Sequence, residues 1–514
     1  MTSTRFGRHS RPTKPTPGRG PTVFLVALAA AMLFSIPASS RAGTVSPNPI
    51  QAENALPGTT SWKRTSPDWG SQIAGYPSAE SVFPGQTVNF MVSTSYKLYS
   101  AQIFRIGWYQ GKGGRLVYSQ KGLVGRHYKT PAANPTTGVV ICDWPIAFSV
   151  VVPSAWVTGF YLVKLSGKGG SQSYIPFVVK EPEDTTSPSP LLMLDETGTS
   201  EAYNLWGGAS LFSNLHYSAW AQQFAHRAVE VSFLRPFTEN FGAGWFLSWE
   251  IHTVRWLEEN GYDVSYASEL DVQAGTVNLL DRKGIIIAGH DEYWSANIRD
   301  GMDAAVAAGV NFANLAANTG YWQSRFQAVG DDPTAIEICY KDFDRDPEHL
   351  VDPKLTTVTW RSPQVNQPEG ELTGAMYGDF EGSHGPYPWK VTNTSSWIFE
   401  HTGIKPGLTV PGIVGQEDDT ILKQYPRPAD VQVVSASPIL NNVGQHRVGN
   451  TTIYRAPSGA WVFDASAIEW GFGLDDLRLP GPVSYEPARK IPSPAIEAVT
   501  ANVLNAFLAS PGGS

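Results

Sequence analysis

The chain has 514 residues, a formal net charge of −8 and an aromatic content of 12%. An acidic balance gives no electrostatic support for nucleic-acid binding, whose affinity comes from Lys and Arg on phosphates. The length suggests about three domains as a soft prior, with two large ones also compatible.

Residues 1–42 read as a secretory signal peptide. Arg5, Arg8, Arg11, Lys14 and Arg19 precede the apolar stretch Val23 to Phe34, and Ser40-Arg41-Ala42 offers a small-residue cleavage site. The apolar run is shorter than the about 20 residues a membrane-spanning helix needs, so export is expected over anchoring. Cleavage would remove six basic and no acidic residues, moving the formal charge from −8 to −14. No later stretch is long and apolar enough to span a membrane. The expected location is secreted or periplasmic.

Residues 43–78, rich in Pro, Gly and Ser, read as a linker and lead-in. Residues 79–181 carry short alternating runs punctuated by turn residues, among them Thr87 to Thr94, Ala101 to Tyr109, Phe160 to Leu165 and Tyr174 to Lys180. Such spacing predicts an antiparallel, Ig-like β-sandwich without an Ig cysteine pair. Residues 182–190 form a charged, Pro-rich joint.

The pattern changes over residues 191–514. Leu191 to Leu194, Tyr262 to Tyr266, Gly284 onward and Gly309 to Ala316 are apolar runs that predict buried strands. Trp245 to Asn260 and Ser295 to Ala308 have helical spacing. Strands alternating with helices predict an α/β fold with a mostly parallel sheet. Residues 339–425 read as a long irregular insertion, followed by closing strands and a helix at Pro494 to Ala509. Cys142 and Cys339 fall in different predicted domains and are expected as two unpaired, buried thiols.

The run GIIIAGHDEYWS, Gly284 to Ser295, organises the functional reading. A buried strand that stops at polar and aromatic residues places His290, Asp291, Glu292 and Tyr293 beyond its carboxyl end, where open α/β sheets bind ligands. His290 could serve as acid or base near neutral pH. The bland alternative has Asp291 capping the next helix, Glu292 in solvent and the aromatics as lids. Two further loops, Asp195 to Gly208 and Asn318 to Trp322, are predicted to meet HDEYW at the same edge. They bring Tyr203, Asn204, Trp206, Asn318, Tyr321 and Trp322. Motifs of the GxSxG, HExxH, GxxxxGK[ST] and GxGxxG kinds are absent.

The segments AYNLWGGASLF, RAVEVSFLRPF, WLEENGYDVSY, GHDEYWS, ANTGYWQSRF, ICYKD and GIVGQE resemble the large (beta) subunit-like family of N,N-dimethylformamidase. GWYQGKGGRLV and YIPFVV resemble the β-sandwich that precedes this region in a secreted branch of relatives. The resemblance implies a sheet similar to class I glutamine amidotransferases. It also implies hydrolysis of a C–N amide bond in a formamide-like small molecule, with a mononuclear ferric iron held by two tyrosines and a glutamate. Carried over, it suggests Tyr293, Tyr321 and Glu417 as metal ligands, with Tyr340 and Glu371 as competitors for the second and third places. His290, Glu292 and Asn318 would be catalytic, and Tyr203, Asn204, Trp206 and Trp322 would contact substrate.

Two rivals remain at this level. One is a non-catalytic extracellular or envelope module binding glycan or protein. The other is a glycosidase pairing Asp291 with Glu417, which needs carboxyls about 5–10 Å apart. Homo-oligomerisation is left open.

Overall fold

The Gly284–His290 strand is buried at every position, as its unbroken apolar run demands. Each Ile of that run contributes about 1.5–3 kcal/mol by leaving water. In the computed structural model, which describes residues 47–65, 72–381, 385–480 and 492–510, this strand is the third in a seven-stranded sheet. The order runs Val264–Ser268, Leu191–Asp195, Gly284–His290, Asn311–Ala317, Trp461–Asp464, Thr452–Arg455, Gln432–Val433. The first five are mutually parallel, and the last two join antiparallel. The parallel register ends with His290 opposite Ala317, so the loops after both strands leave at one level.

The predicted class, an α/β fold with a mostly parallel sheet similar to class I glutamine amidotransferase, is overturned. The described residues build seven sheets, several of them antiparallel or mixed, and only three helices reach ten residues: Glu250–Glu259, Ala296–Ala307 and Pro494–Ala509. The reason lies after residue 317, where hairpins replace further strand–helix units. Trp322–Val329 turns back onto Asp332–Ile338 through Gly330-Asp331, with Gly330 at φ +62°. A two-residue loop opening on a left-handed glycine is a hairpin signal. These strands join Glu230–Ser232 and Tyr293–Ser295 in a second, four-stranded sheet. The 339–425 segment adds the Met376–Phe380/Glu417–Thr420 and Tyr387–Lys390/Thr409–Val414 pairs.

Upstream, a three-stranded sheet (Ile73–Pro77, Thr87–Thr94, Ile146–Val151) and a five-stranded one enclose a core of Val88, Phe90, Ile103, Tyr161, Val163 and Phe177. The strand Gly159–Gly167 shows why its sequence is apolar on both faces. Tyr161, Val163 and Leu165 enter that core, while Phe160 and Leu162 alternate into the core shared with Phe246, Tyr266 and Leu257. The same seam holds a buried, two-pronged ion pair, Arg105 Nη2–Glu258 Oε1 at 2.8 Å and Nη1–Oε2 at 3.0 Å. Cys142 and Cys339 are both free and buried, as expected.

The predicted signal peptide lies outside the described residues. Among those described, no helix is long and apolar enough to cross a membrane.

Candidate active site

Three strand-end loops meet at the carboxyl edge of the parallel strands. Tyr203 comes from the helix after Leu191–Asp195, His290 and Glu292 follow Gly284–His290, and Asn318 follows Asn311–Ala317. A fourth contribution, Glu417, opens a strand of the 339–425 segment's hairpin. The backbone is pinned at each entrance. His290 N donates to Glu196 Oε2 (2.6 Å), while Glu292 N and Tyr293 N both donate to Thr199 Oγ1 (2.7 and 3.1 Å). Gly289 has φ +90°, and a Cβ there would stand 2.4 Å from the Trp249 Cβ, so only glycine fits.

His290 Nε2 lies 3.0 Å from Glu417 Oε2 and 3.6 Å from Glu292 Oε2. Asn318 Nδ2 donates to the same Glu417 oxygen at 2.7 Å, and Tyr203 OH donates to Glu292 Oε2 at 2.7 Å. The imidazole stacks on Trp245, ring centroids 5.3 Å apart at 13°. Behind them, Lys341 Nζ donates to Tyr293 OH at 2.5 Å and lies 4.7 Å from the Trp322 ring centroid. Asn318, Lys341 and Gln416 all hold left-handed backbone, at φ 54°, 57° and 62°. Strain of this kind costs about 1–3 kcal/mol per residue and gathers at functional sites.

The electrostatics are unbalanced toward acid. Burial alone would lower the His290 pKa, but Glu417 and then Glu292 outweigh it and hold it above its ordinary value. Burial, then the charge of Glu417, raises Glu292. Burial lowers Lys341, partly opposed by Glu292. Burial likewise pushes the Cys339 thiol up to about 12, which leaves it no thiolate nucleophile near neutral pH. The site opens into a cavity of about 430 Å³ lined by Tyr203, Trp245, His290, Tyr377 and Glu417, among others.

His290, Glu292, Asn318, Glu417 and Tyr203 are thus brought together. The three expected metal ligands are not joined to one another by any hydrogen bond, ion pair or ring contact. Tyr293 is engaged by Lys341, Glu417 by His290 and Asn318, and Tyr321 packs on Tyr377 and under Arg361. Burial and then the charges of Glu230 and Asp346 raise the Tyr340 pKa, and Glu371 is exposed on the Gly370–Thr373 helix. Asn204 serves its own turn, bonding Glu201 and Pro236 O (both 2.9 Å), and Trp206 packs against Trp144. Trp322 meets Tyr321 edge-on and faces Lys341.

The bland expectations fail at two positions. Ser295, not Asp291, caps the Ala296–Ala307 helix, accepting from Ile298 N at 3.2 Å. Asp291 is buried, and Glu292 is buried rather than solvated. Sequence reading missed Lys341, Trp245 and Tyr377. Lys341 lies within the ICYKD segment that carries the resemblance, but only the fold brings it to Tyr293.

These features define a class: a sheet-rich chain carrying a buried imidazole between two carboxylates at its parallel strand ends. The chain belongs to the N,N-dimethylformamidase beta subunit-like, C-terminal family, whose profile matches residues 100–485. Two relatives are the N,N-dimethylformamidase beta subunits of Alcaligenes sp. and Paracoccus aminophilus, each 28% identical. The first aligns over 296 residues, 51% of this chain and 36% of the relative; the second over 214 residues, 35% and 28%. The chain therefore spans about a third of the length of these relatives. Among solved structures, a Paenibacillus sp. cycloisomaltooligosaccharide glucanotransferase aligns over 77% of this chain and 68% of that one at 10% identity. Its TM-score of 0.17 carries no argument about fold.

Proposed function

We propose that the chain hydrolyses a C–N amide bond of a small, formamide-like molecule, with His290 as the acid–base group. The observation that carries this is the bracketing of His290 Nε2 by Glu417 and Glu292 at the inner end of an open cavity. Glu417 accepts from His290 Nε2–H and stabilises the imidazolium, the part a carboxylate plays on the far nitrogen of a general base, so Nδ1 is the nitrogen that takes the proton. His290 takes a proton from water as the water oxygen bonds to the amide carbon. It then returns that proton to the departing amine nitrogen as the C–N bond breaks. Asn318 Oδ1 is buried and has no protein partner, so it can accept from the attacking water. Its Nδ2 meanwhile ties the same side chain to Glu417.

A hard cation fits this setting by donor chemistry. Among the described residues no group of three or more His, Cys, Asp or Glu is arranged to hold a metal, so phenolic oxygen has to contribute. Tyr203 and Glu292 already share a 2.7 Å contact, and Glu417 faces them across the imidazole. These three would hold ferric iron, with Tyr293 and Tyr377 as neighbouring phenols. When bound, the ion would supply Lewis-acid polarisation of the amide carbonyl.

The test uses the full-length purified protein on a panel of formamides, with metal analysis and a visible spectrum. Hydrolysis, stoichiometric iron and a tyrosinate-to-iron band that weakens in Tyr203→Phe are expected. Folded, iron-supplemented protein that cleaves no amide would overturn the reading. Export directed by residues 1–42 belongs to the same proposal, and N-terminal sequencing of the mature protein checks it.

A further inference from the structure

The cavity in front of His290 has a wall that the hydrolytic step does not use. From Tyr203 outward, rings follow one another: Tyr203–Phe212 at 4.7 Å, Phe212–Phe224 at 4.7 Å and Phe224–Trp220 at 4.5 Å between centroids. The row starts at the phenol that touches Glu292 and ends at Trp220, which is 62% exposed. Trp220 and Phe224 sit on the short helix Trp220–Ala225, none of whose residues is buried. Trp220 is exposed and Phe224 half-buried, and both line the cavity, as aromatic side chains of ligand pockets do.

Size and charge narrow the ligand. A volume of about 430 Å³ lies within the roughly 300–1,000 Å³ range of pockets that take drug-sized ligands. A formamide bearing two methyl groups would leave most of it unfilled. Among the described residues no Lys or Arg lines the cavity, whose ionisable lining groups besides tyrosine are His290 and Glu417. Along the aromatic wall, away from His290, an anionic substituent would find no lining lysine or arginine to pair with. Aromatic rings, by contrast, gain from offset or edge contacts beyond simple burial.

We infer that the substrate is an uncharged amide carrying an aromatic ring or ring-sized apolar group, which lies along Phe212, Phe224 and Trp220 while its C–N bond faces His290. This rests on the amide-hydrolase reading above and narrows its substrate class. The cavity selects against carboxylate-bearing amides of the same shape.

Three substrates test it: N-benzylformamide, N,N-dimethylformamide and 4-(formamidomethyl)benzoate. The expected kcat/KM is at least tenfold higher for the benzyl compound than for either of the others. Trp220→Ala should lower the benzyl value at least threefold more than the dimethyl value, and Phe224→Ala repeats the test should the first variant misfold. Equal efficiency on all three overturns the substrate class while leaving amide hydrolysis standing. Should none turn over, tryptophan quenching by N-benzylformamide still decides. Saturable quenching, weakened in Trp220→Ala and absent with the benzoate, supports the ligand class although the hydrolase reading has failed. Quenching by neither compound overturns it.

Discussion

Two buried histidines in this protein meet a carboxylate at nearly the same distance, yet the charges around them and their access to a cavity differ. His252 Nδ1 lies 3.1 Å from Asp475 Oδ2, and Arg255 Nε donates to that same oxygen at 2.9 Å. His290 Nε2 lies 3.0 Å from Glu417, but its further neighbour is a second carboxylate, Glu292, and it faces a cavity. The first cluster is closed, with a guanidinium to balance its acid. The second concentrates acid around one imidazole and leaves it reachable. A His–carboxylate distance therefore says little about function; compensation and access separate a structural pair from a reactive one.

The largest way to break this comparison is to remove each imidazole in turn. His290→Ala should lower amide-hydrolysing kcat/KM per folded molecule by about 10²–10⁴, the usual worth of a positioned acid–base group. His252→Ala should instead lose thermal midpoint while activity per folded molecule holds. Steady-state kinetics alongside calorimetry reads both. Interchanged outcomes would show that the roles are assigned the wrong way round.

How much of this was legible beforehand depends on how local the signal was. The Gly284–His290 strand announces itself because every residue must be buried and the apolar run stops at charged side chains. The meeting of Tyr203, His290 and Asn318 followed, since their strands are neighbours in the sheet. Glu417 was reachable only through resemblance, and Lys341 was given no role although its segment ICYKD carries that resemblance. Both lie beyond residue 317, where the chain abandons strand–helix alternation, and the strand that Glu417 opens pairs with Met376–Phe380 far upstream, a contact that local propensity does not set. That same change defeated the amidotransferase-like expectation. Tyr293 shows the limit from another side. Its position in the strand end was readable, but nothing local foretold that Lys341 would take its hydroxyl.

The second prediction sharpens the structural half of the comparison. Arg255→Met removes the cation from the closed cluster and leaves Asp475 buried against His252 and the Leu477 N–H. Breaking one partner of a buried pair costs about 3–5 kcal/mol. Denaturant midpoints should fall accordingly, with the kinetic constants unmoved.

A smaller effect comes from acid. Burial would raise the Asp475 pKa, but the hydrogen bond from His252 and the charge of Arg255 outweigh it and pull it down to about 2 from an ordinary 3.8. A depressed carboxyl stabilises the fold above its unfolded pKa, so the benefit is complete above about pH 4 and drains away as pH falls toward 2. At roughly 1.4 kcal/mol per unit, this is about 2 kcal/mol. Asp475→Asn should flatten that part of the stability–pH curve. An unchanged slope between pH 4 and 2 would mean that this cluster is not what the acid attacks.

The smallest predicted effect lies between the two regions. Ser295 is three residues past Glu292, and its hydroxyl accepts from Ile298 N while donating to Gln273 Oε1 at 2.5 Å. It therefore fastens the helix that backs the reactive loop, although it touches neither His290 nor Glu417. Loss of a serine cap costs about 1 kcal/mol, and the second hydrogen bond adds to that. Ser295→Ala should lower the melting midpoint by a few degrees, as a deficit of that size does. If the loop is held chiefly by Thr199 and Glu196, as the backbone contacts at His290, Glu292 and Tyr293 indicate, kcat/KM should stay within about twofold. A tenfold loss of activity with an intact midpoint would instead make the cap a positioning element for His290. The two buried histidines would then differ in what anchors their backbone as well as in their charge.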